Sequence, residues 1–283
     1  MNTMSYLSKF FKTNDGVKLH YIEAGKGKPL IMLPGWSQTA EQYKYQIEKL
    51  SSSYRVIALD YRGHGDSEKP DYGYRMSRLA VDLHNLLTEL ELNDVNLLGH
   101  SMGCCVIWSY WDLFGGKQLS KLIFVDETPF NAFLQVSLGK EAEQFGILFT
   151  LENLFEVVKR IRNDYDESYT RELIGKMFPH DFPKEQIDWI IQQNCKMPRN
   201  LAADLLYETN IALDWRDVVK RINIPVLIIG ARDSQMPWRS QVWLHEHISD
   251  SRLEIFEKEE GGRHFMFIEN PEKFNHLVAD FIG

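Results

Sequence analysis

Cysteine is scarce in this chain, and that scarcity excludes a disulfide scaffold. Only three occur among 283 residues, and two of those are the neighbours Cys104 and Cys105. A reduced, cytoplasmic setting is the expectation. No stretch approaches the roughly 18 consecutive apolar residues of a membrane span. The opening segment, Met1 to Lys12, is broken by Ser5, Ser8 and Lys9 where a secretory signal needs an unbroken apolar core. Positive charge is also short. The net charge is −8 and no long basic run occurs, which speaks against a nucleic-acid surface. Repeats and low-complexity tracts are missing too. The remainder, 44% hydrophobic and 25% charged, is enough to bury a large core in one domain or in a domain with an insertion.

Within that frame the hydrophobic pattern alternates between two periods. Tyr6 to Phe11 and Val17 to Glu23 alternate around Asn14-Asp15-Gly16, the signature of a hairpin turn. Short, mostly apolar runs follow at Leu30–Leu33, Arg55–Asp60, Val95–Leu98, Leu122–Val125, Val226–Ile229 and Leu253–Phe256, and the unbroken ones are expected of strands covered on both faces. Helical spacing separates them at Ala40–Leu50, Arg78–Leu90, Trp238–His247 and Pro271–Ile282. Strands alternating with helices predict an α/β fold, a mostly parallel eight-stranded sheet with helices on both faces. From Asn131 to about Asp217 no strand pattern occurs, a length too great for a simple connection. It reads as an inserted helical cap (131–217) dividing the core into 1–130 and 218–283.

The most informative residues are Gly99-His100-Ser101-Met102-Gly103, between the Val95 strand and an apolar helix that starts near Cys104. A Gly-x-Ser-x-Gly between strand and helix is a nucleophile elbow. The turn is so sharp that the residues two before and two after the serine must be small, and the serine itself is held in a strained conformation. Cys104 and Cys105 on that helix read as buried packing residues.

A serine hydroxyl needs a base. His264, in a glycine-bearing loop between the last strand and the last helix, is the candidate; His64 and His100 read as structural or site-lining. The base needs a carboxylate to orient it. Asp233 follows the Val226 strand, and the chain order Ser, Asp, His favours it. Asp126, with Glu127 beside it, follows the Leu122 strand and is the alternative. An oxyanion hole requires two backbone N–H groups, expected from Met102 and from Trp36 in the turn after Leu33. The Trp36 ring, with Phe145, Leu148, Phe149, Phe155 and Trp189 of the insertion, would wall an apolar pocket. Because no triad member or oxyanion donor falls within 131–217, the insertion is expected to govern selectivity rather than chemistry.

Taken together, Leu33-Pro34-Gly35-Trp36, Asp60 to Ser67, the Gly99–Gly103 elbow, Gly230-Ala231-Arg232-Asp233 and His264 make the chain resemble the α/β-hydrolases, in the subgroup of esterases, lactonases and cofactor-free haloperoxidases. The resemblance implies a serine hydrolase of a small to medium, largely apolar carboxylic ester or lactone, with no metal or organic cofactor. Serine at the elbow weighs against relatives that use aspartate there, the haloalkane dehalogenases and epoxide hydrolases. Non-hydrolytic relatives form the alternative: perhydrolases, C–C hydrolases, and the cofactor-independent dioxygenases that resemble the Asp126 arrangement. Ligand receptors that retain the triad are a further one. Pro34 stands where histidine is common in the family, and Cys104 where glycine is common.

Overall fold

The computed structural model describes residues 6–130, 145, 149–211 and 214–283. Leu148 and the start of the expected insertion at Asn131 lie outside them. Strands β1 (Leu7–Lys12) and β2 (Lys18–Ala24) form the hairpin, with Thr13 N–H donating to Val17 O at 3.0 Å and Gly16 at φ +87° in the turn. Only glycine takes that conformation without a Cβ penalty. The sheet continues with β3 (Pro29–Leu33), β4 (Arg55–Leu59), β5 (Val95–His100), β6 (Leu119–Val125), β7 (Val226–Ala231) and β8 (Ser251–Phe256). The order across it is β1-β2-β4-β3-β5-β6-β7-β8. β2 runs antiparallel to both neighbours, and every pairing from β4 to β8 is parallel.

Successive residues of a strand face opposite sides of a sheet, so each apolar run feeds two cores. Ile31, Leu33, Ile57, Leu59, Leu97 and Phe124 pack on one side. Helices α2 (Met76–Glu89) and α3 (Met102–Phe114) cover them, α2 through the stripe Leu79, Leu83, Leu86 and Leu87. Leu30, Met32, Val56, Ala58, Leu98 and Ile123 face the other side, under α1 (Lys44–Leu50) and the C-terminal helix Pro271–Ile282. Asn270 caps that last helix by accepting the Lys273 N–H at 3.1 Å, with Pro271 in its first turn where no N–H is needed.

Between β6 and β7 the described residues carry helices α4 (Leu151–Arg162), α5 (Ser168–Gly175), α6 (Lys184–Cys195), α7 (Arg199–Ile211) and the short α8 (Arg216–Val219). The chain leaves and rejoins the core at one point: Phe130 bridges Asp214, and Trp215 N–H donates to Pro129 O at 2.8 Å. After β7 come α9 (Trp238–His247), α10 (Met266–Glu269) and α11 (Pro271–Ile282). Among the described residues, no helix is long and apolar enough to cross a membrane.

The strand order reverses at β3, flanked by β4 and β5. In a parallel sheet this is where loops at the carboxyl ends of neighbouring strands diverge and leave a crevice. The turn after β3, the elbow after β5 and the Asp126 loop after β6 all open there.

Candidate active site

Ser101 sits between β5 and α3 with φ 52° and ψ −127°, a conformation that a non-glycine residue adopts only when its surroundings impose it. The surroundings are visible. A Cβ at Gly99 would lie 2.5 Å from the Gly103 carbonyl carbon, and one at Gly103 would lie 2.4 Å from the Leu33 oxygen. Ser101 N–H donates to Val125 O at 2.8 Å, tying the turn to the end of β6. The thiols of Cys104 and Cys105 are fully buried, and burial pushes both well above their ordinary pKa, so they stay protonated as packing groups.

His264 lies in the loop between β8 and α10, nearly buried, and its Nδ1 stands 2.7 Å from Asp126 Oδ2. The carboxylate that meets His264 is therefore Asp126 and not Asp233, a correction of the sequence expectation. Asp126 is 0% exposed at the tip of β6, held by its own N–H on Ile229 O at 2.8 Å. Asp233 is 39% exposed and faces Arg263, whose Nη2 is 2.9 Å from its Oδ2. The β7 loop sends Ser234 instead, and its hydroxyl donates to Asp126 Oδ2. Burial raises the Asp126 pKa, while the hydrogen bonds from His264 and Ser234 oppose that shift.

His100, the variable elbow residue, lines the site. Its Nε2 donates to the His264 carbonyl at 2.9 Å, which leaves Nδ1 as an unprotonated acceptor. Burial, with His264 adjacent, holds it well below the usual imidazole pKa, so it is a neutral ring. His64 is structural. Its Nδ1 donates to Arg62 O at 3.0 Å and its Nε2 accepts the Ser37 N–H at 3.2 Å, fixing the turn after β3. Burial lowers its pKa to about 4.

That turn is also held from the insertion. Trp36 Nε1 donates to Ala202 O at 2.7 Å, Ser37 Oγ to Asn194 O at 2.8 Å, and Thr39 Oγ1 to Gln193 Oε1 at 2.8 Å. The Arg199 guanidinium donates to Ser37 Oγ at 3.0 Å. The helices between β6 and β7 thus hold the loop from which an oxyanion donor is expected.

A cavity of about 230 Å³ opens above Ser101, bounded among the described residues by Trp36, Met102, His264, Phe149, Leu206, Met177 and others. Of the expected wall residues, Trp36 and Phe149 are there. Trp189 is not: it lies half-buried with Lys44 Nζ 3.6 Å above its ring. Phe145 is buried in the core against Phe130 and Trp243, and Phe155 is 52% exposed. Helical periodicity identifies a face but not what covers it, which is why these three misled. Sequence reasoning also passed over Gln38 and Glu127, two buried polar side chains that line the cavity. Only adjacency to Asp126 signalled Glu127. Among the described residues no group of three or more His, Cys, Asp or Glu is placed to hold a metal ion.

This arrangement can be compared with known proteins. The model for the alpha/beta hydrolase family matches residues 30–277. The chain belongs to the alpha/beta hydrolase family. This alpha/beta hydrolase is 36% identical to the non-heme chloroperoxidase CPO-A1 of Kitasatospora aureofaciens, over 96% of this chain and 98% of that one. It is 27% identical to an esterase of known structure from Exiguobacterium antarcticum, with TM-score 0.86 and coverage of 98% and 99%. It shares the fold of the bromoperoxidase from Bacillus anthracis, TM-score 0.87 at 24% identity, covering 98% and 99% of the two chains.

Proposed function

We propose that this alpha/beta hydrolase is a serine hydrolase of small to medium, uncharged and largely apolar carboxylic esters or lactones, working through an acyl-enzyme. One observation carries the reading. Ser101, strained at an elbow, shares a cavity with His264, whose Nδ1 is on the buried Asp126. With Nδ1–H directed at Asp126, the other ring nitrogen is the free base. Ser101 Oγ bonds to the carbonyl carbon as His264 Nε2 takes the hydroxyl proton. His264 then returns that proton to the departing alkoxide. Water repeats the two steps on the acyl-enzyme and frees Ser101. Asp126 stabilises the imidazolium that forms transiently. The N–H groups of Met102 and Trp36 are the assigned donors to the oxyanion.

The size of the cavity and the absence of lysine or arginine among its described lining residues support an uncharged substrate. Ser101→Ala should keep the fold and lose on the order of 10⁴-fold or more of ester turnover. A fluorophosphonate should label Ser101. Retention of a tenth of wild-type turnover by the alanine variant would sink the assignment.

A second reading draws support from the placement of the acid after β6, the arrangement that the cofactor-independent dioxygenases resemble. There the His264–Asp126 pair would take a proton from an acidic substrate hydroxyl, and the electron-rich anion would meet dioxygen. An oxygen electrode separates the two: oxygen uptake that persists in Ser101→Ala with substrates bearing an acidic hydroxyl, without ester turnover in the wild type, would favour it.

A further inference from the structure

Glu127 is a carboxyl group that the mechanism above does not use, although it stands inside the site. It is 5% exposed, lines the cavity, and its Oε2 lies 3.5 Å from Ser101 Oγ. Its other oxygen, Oε1, accepts the Thr128 N–H at 2.8 Å. A backbone N–H occupies the carbonyl oxygen of a neutral acid, so a proton on this group belongs on Oε2, the oxygen facing the nucleophile. Beyond the Thr128 N–H and the Ser101 hydroxyl, the groups around it do not favour a carboxylate. Asp126 precedes it in the chain, the protonated thiols of Cys104 and Cys105 lie beneath on α3, and His100 and His264 border the same cavity. From α9, Gln241 Nε2 donates at 2.8 Å to the Glu127 backbone carbonyl rather than to the carboxyl group. The cavity's described lining includes no cation.

We propose that Glu127 is a second acid of the catalytic site, which retains its hydrogen on Oε2 throughout turnover, directs it at Ser101 Oγ and the adjoining substrate oxygen, and silences the nucleophile when it ionises. This rests on the serine-hydrolase reading. In the neutral form the acid is a donor, so the Ser101 hydroxyl hydrogen stays free for His264. As a carboxylate, Oε2 becomes an acceptor and takes that hydrogen away from the base. It also sets a negative charge beside the point where the oxyanion develops, reversing the complementarity a hydrolase needs there. Glu127 transfers no proton in the reaction: the proton that leaves Ser101 travels to His264 and on to the leaving group. Burial, with the neighbouring Asp126 charge, pushes the Glu127 pKa up to about 8 against the pull of Thr128 and Ser101, so the change falls in an accessible range.

The experiment is a pair of pH titrations on the full chain. With p-nitrophenyl acetate, wild-type kcat/KM should fall above about pH 8 by roughly tenfold per pH unit. Glu127→Gln retains a donor but cannot ionise. It should start several-fold lower at neutral pH and lose the alkaline fall. Glu269 is the control, because burial raises its pKa to about 8 as well. Glu269→Gln should leave the fall in place. Infrared spectra of the same samples read protonation directly: Glu269→Gln should keep a protonated-carboxyl band that disappears through about pH 8. An alkaline fall unchanged in Glu127→Gln, or no such band in Glu269→Gln at neutral pH, overturns the proposal. Should Glu127→Gln not fold, the Glu269→Gln band decides alone. Failure of a fluorophosphonate to label wild-type Ser101 would instead defeat the hydrolase reading, and the infrared titration would still report on Glu127.

Discussion

The ends of β6 and β7 are neighbours in one parallel sheet, and each delivers an aspartate to the same edge, yet the two residues have opposite fates. Asp126 is 0% exposed, accepts the Ser234 hydroxyl and meets His264. Asp233 is 39% exposed and pairs with Arg263. The difference lies in what crosses above each strand. Gly262 O accepts the Asp233 N–H at 3.0 Å, which brings Arg263 over the β7 loop and drops His264 one residue later over β6. Strand position predicts the edge at which a functional carboxyl group emerges. It does not predict which of two adjacent carboxyl groups the base will reach.

The sharpest way to break this comparison is to neutralise each aspartate in turn. Asp126→Asn should cost roughly 10³- to 10⁴-fold in kcat by setting the wrong His264 tautomer. Asp233→Asn should stay within a few-fold of wild type, and losing its exposed ion pair should cost no more than about 1 kcal/mol of stability. Steady-state kinetics and chemical denaturation of the two variants test both; equal losses in kcat would erase the distinction.

A second pair, His264 and His64, sharpens it. Both lie in glycine-bearing loops, but His64 is sealed below the site and neutral. Its folded pKa of about 4 lies beneath the unfolded value of 6.5, so the unfolded chain gains a proton first as the medium is acidified. Stability from His64 is therefore complete above about pH 6.5 and drains away towards pH 4, by at most on the order of 3 kcal/mol. His64→Gln, if it folds, should flatten that part of the stability-against-pH curve. A slope unchanged by the substitution would show that other groups set acid sensitivity.

The aromatic pair Phe149 and Trp189 gives a smaller contrast. Phe149→Ala removes apolar wall and should raise KM for a butanoate or hexanoate ester by about tenfold, with little change for acetate. Trp189→Ala should leave KM alone and lower stability by about 2 kcal/mol through lost packing over Lys44. The smallest effect belongs to Ser234→Ala, which leaves the Asp126–His264 contact but removes one donor from Asp126. It should lower kcat by a few-fold, since one hydrogen bond to a charged group is worth about 1.5–3 kcal/mol before partial replacement by water.

Local chemistry accounts for the parts of this protein that were legible in its residues. The interior strands were readable because short apolar runs bounded by turn residues fit strands buried on both faces, as at Leu30–Leu33 and Val226–Ile229. Trp238–His247 and Pro271–Ile282 begin and end where the helical period, Pro237 and the Asn270–Pro271 cap require. The elbow was readable because its steric demand acts within five residues, and Gly99 and Gly103 satisfy it against each other and Leu33. The site histidine was readable because His264 is the histidine stationed between the last strand and the last helix.

Everything that depends on residues far apart in the chain was decided by tertiary structure alone. Asp126 meets His264 across 138 positions, Trp36 meets Ala202 across 166, and Ser101 and Glu127 meet across 26. Periodicity and turn chemistry carry no information about such meetings, because they report what one segment does with its own neighbours. The sequence by itself determined the sheet, the strained serine and the edge on which the site would form. Only the packed structure decided which acid holds the base, because that choice turns on whether a side chain is buried beside Ser234 or left in solvent beside Arg263.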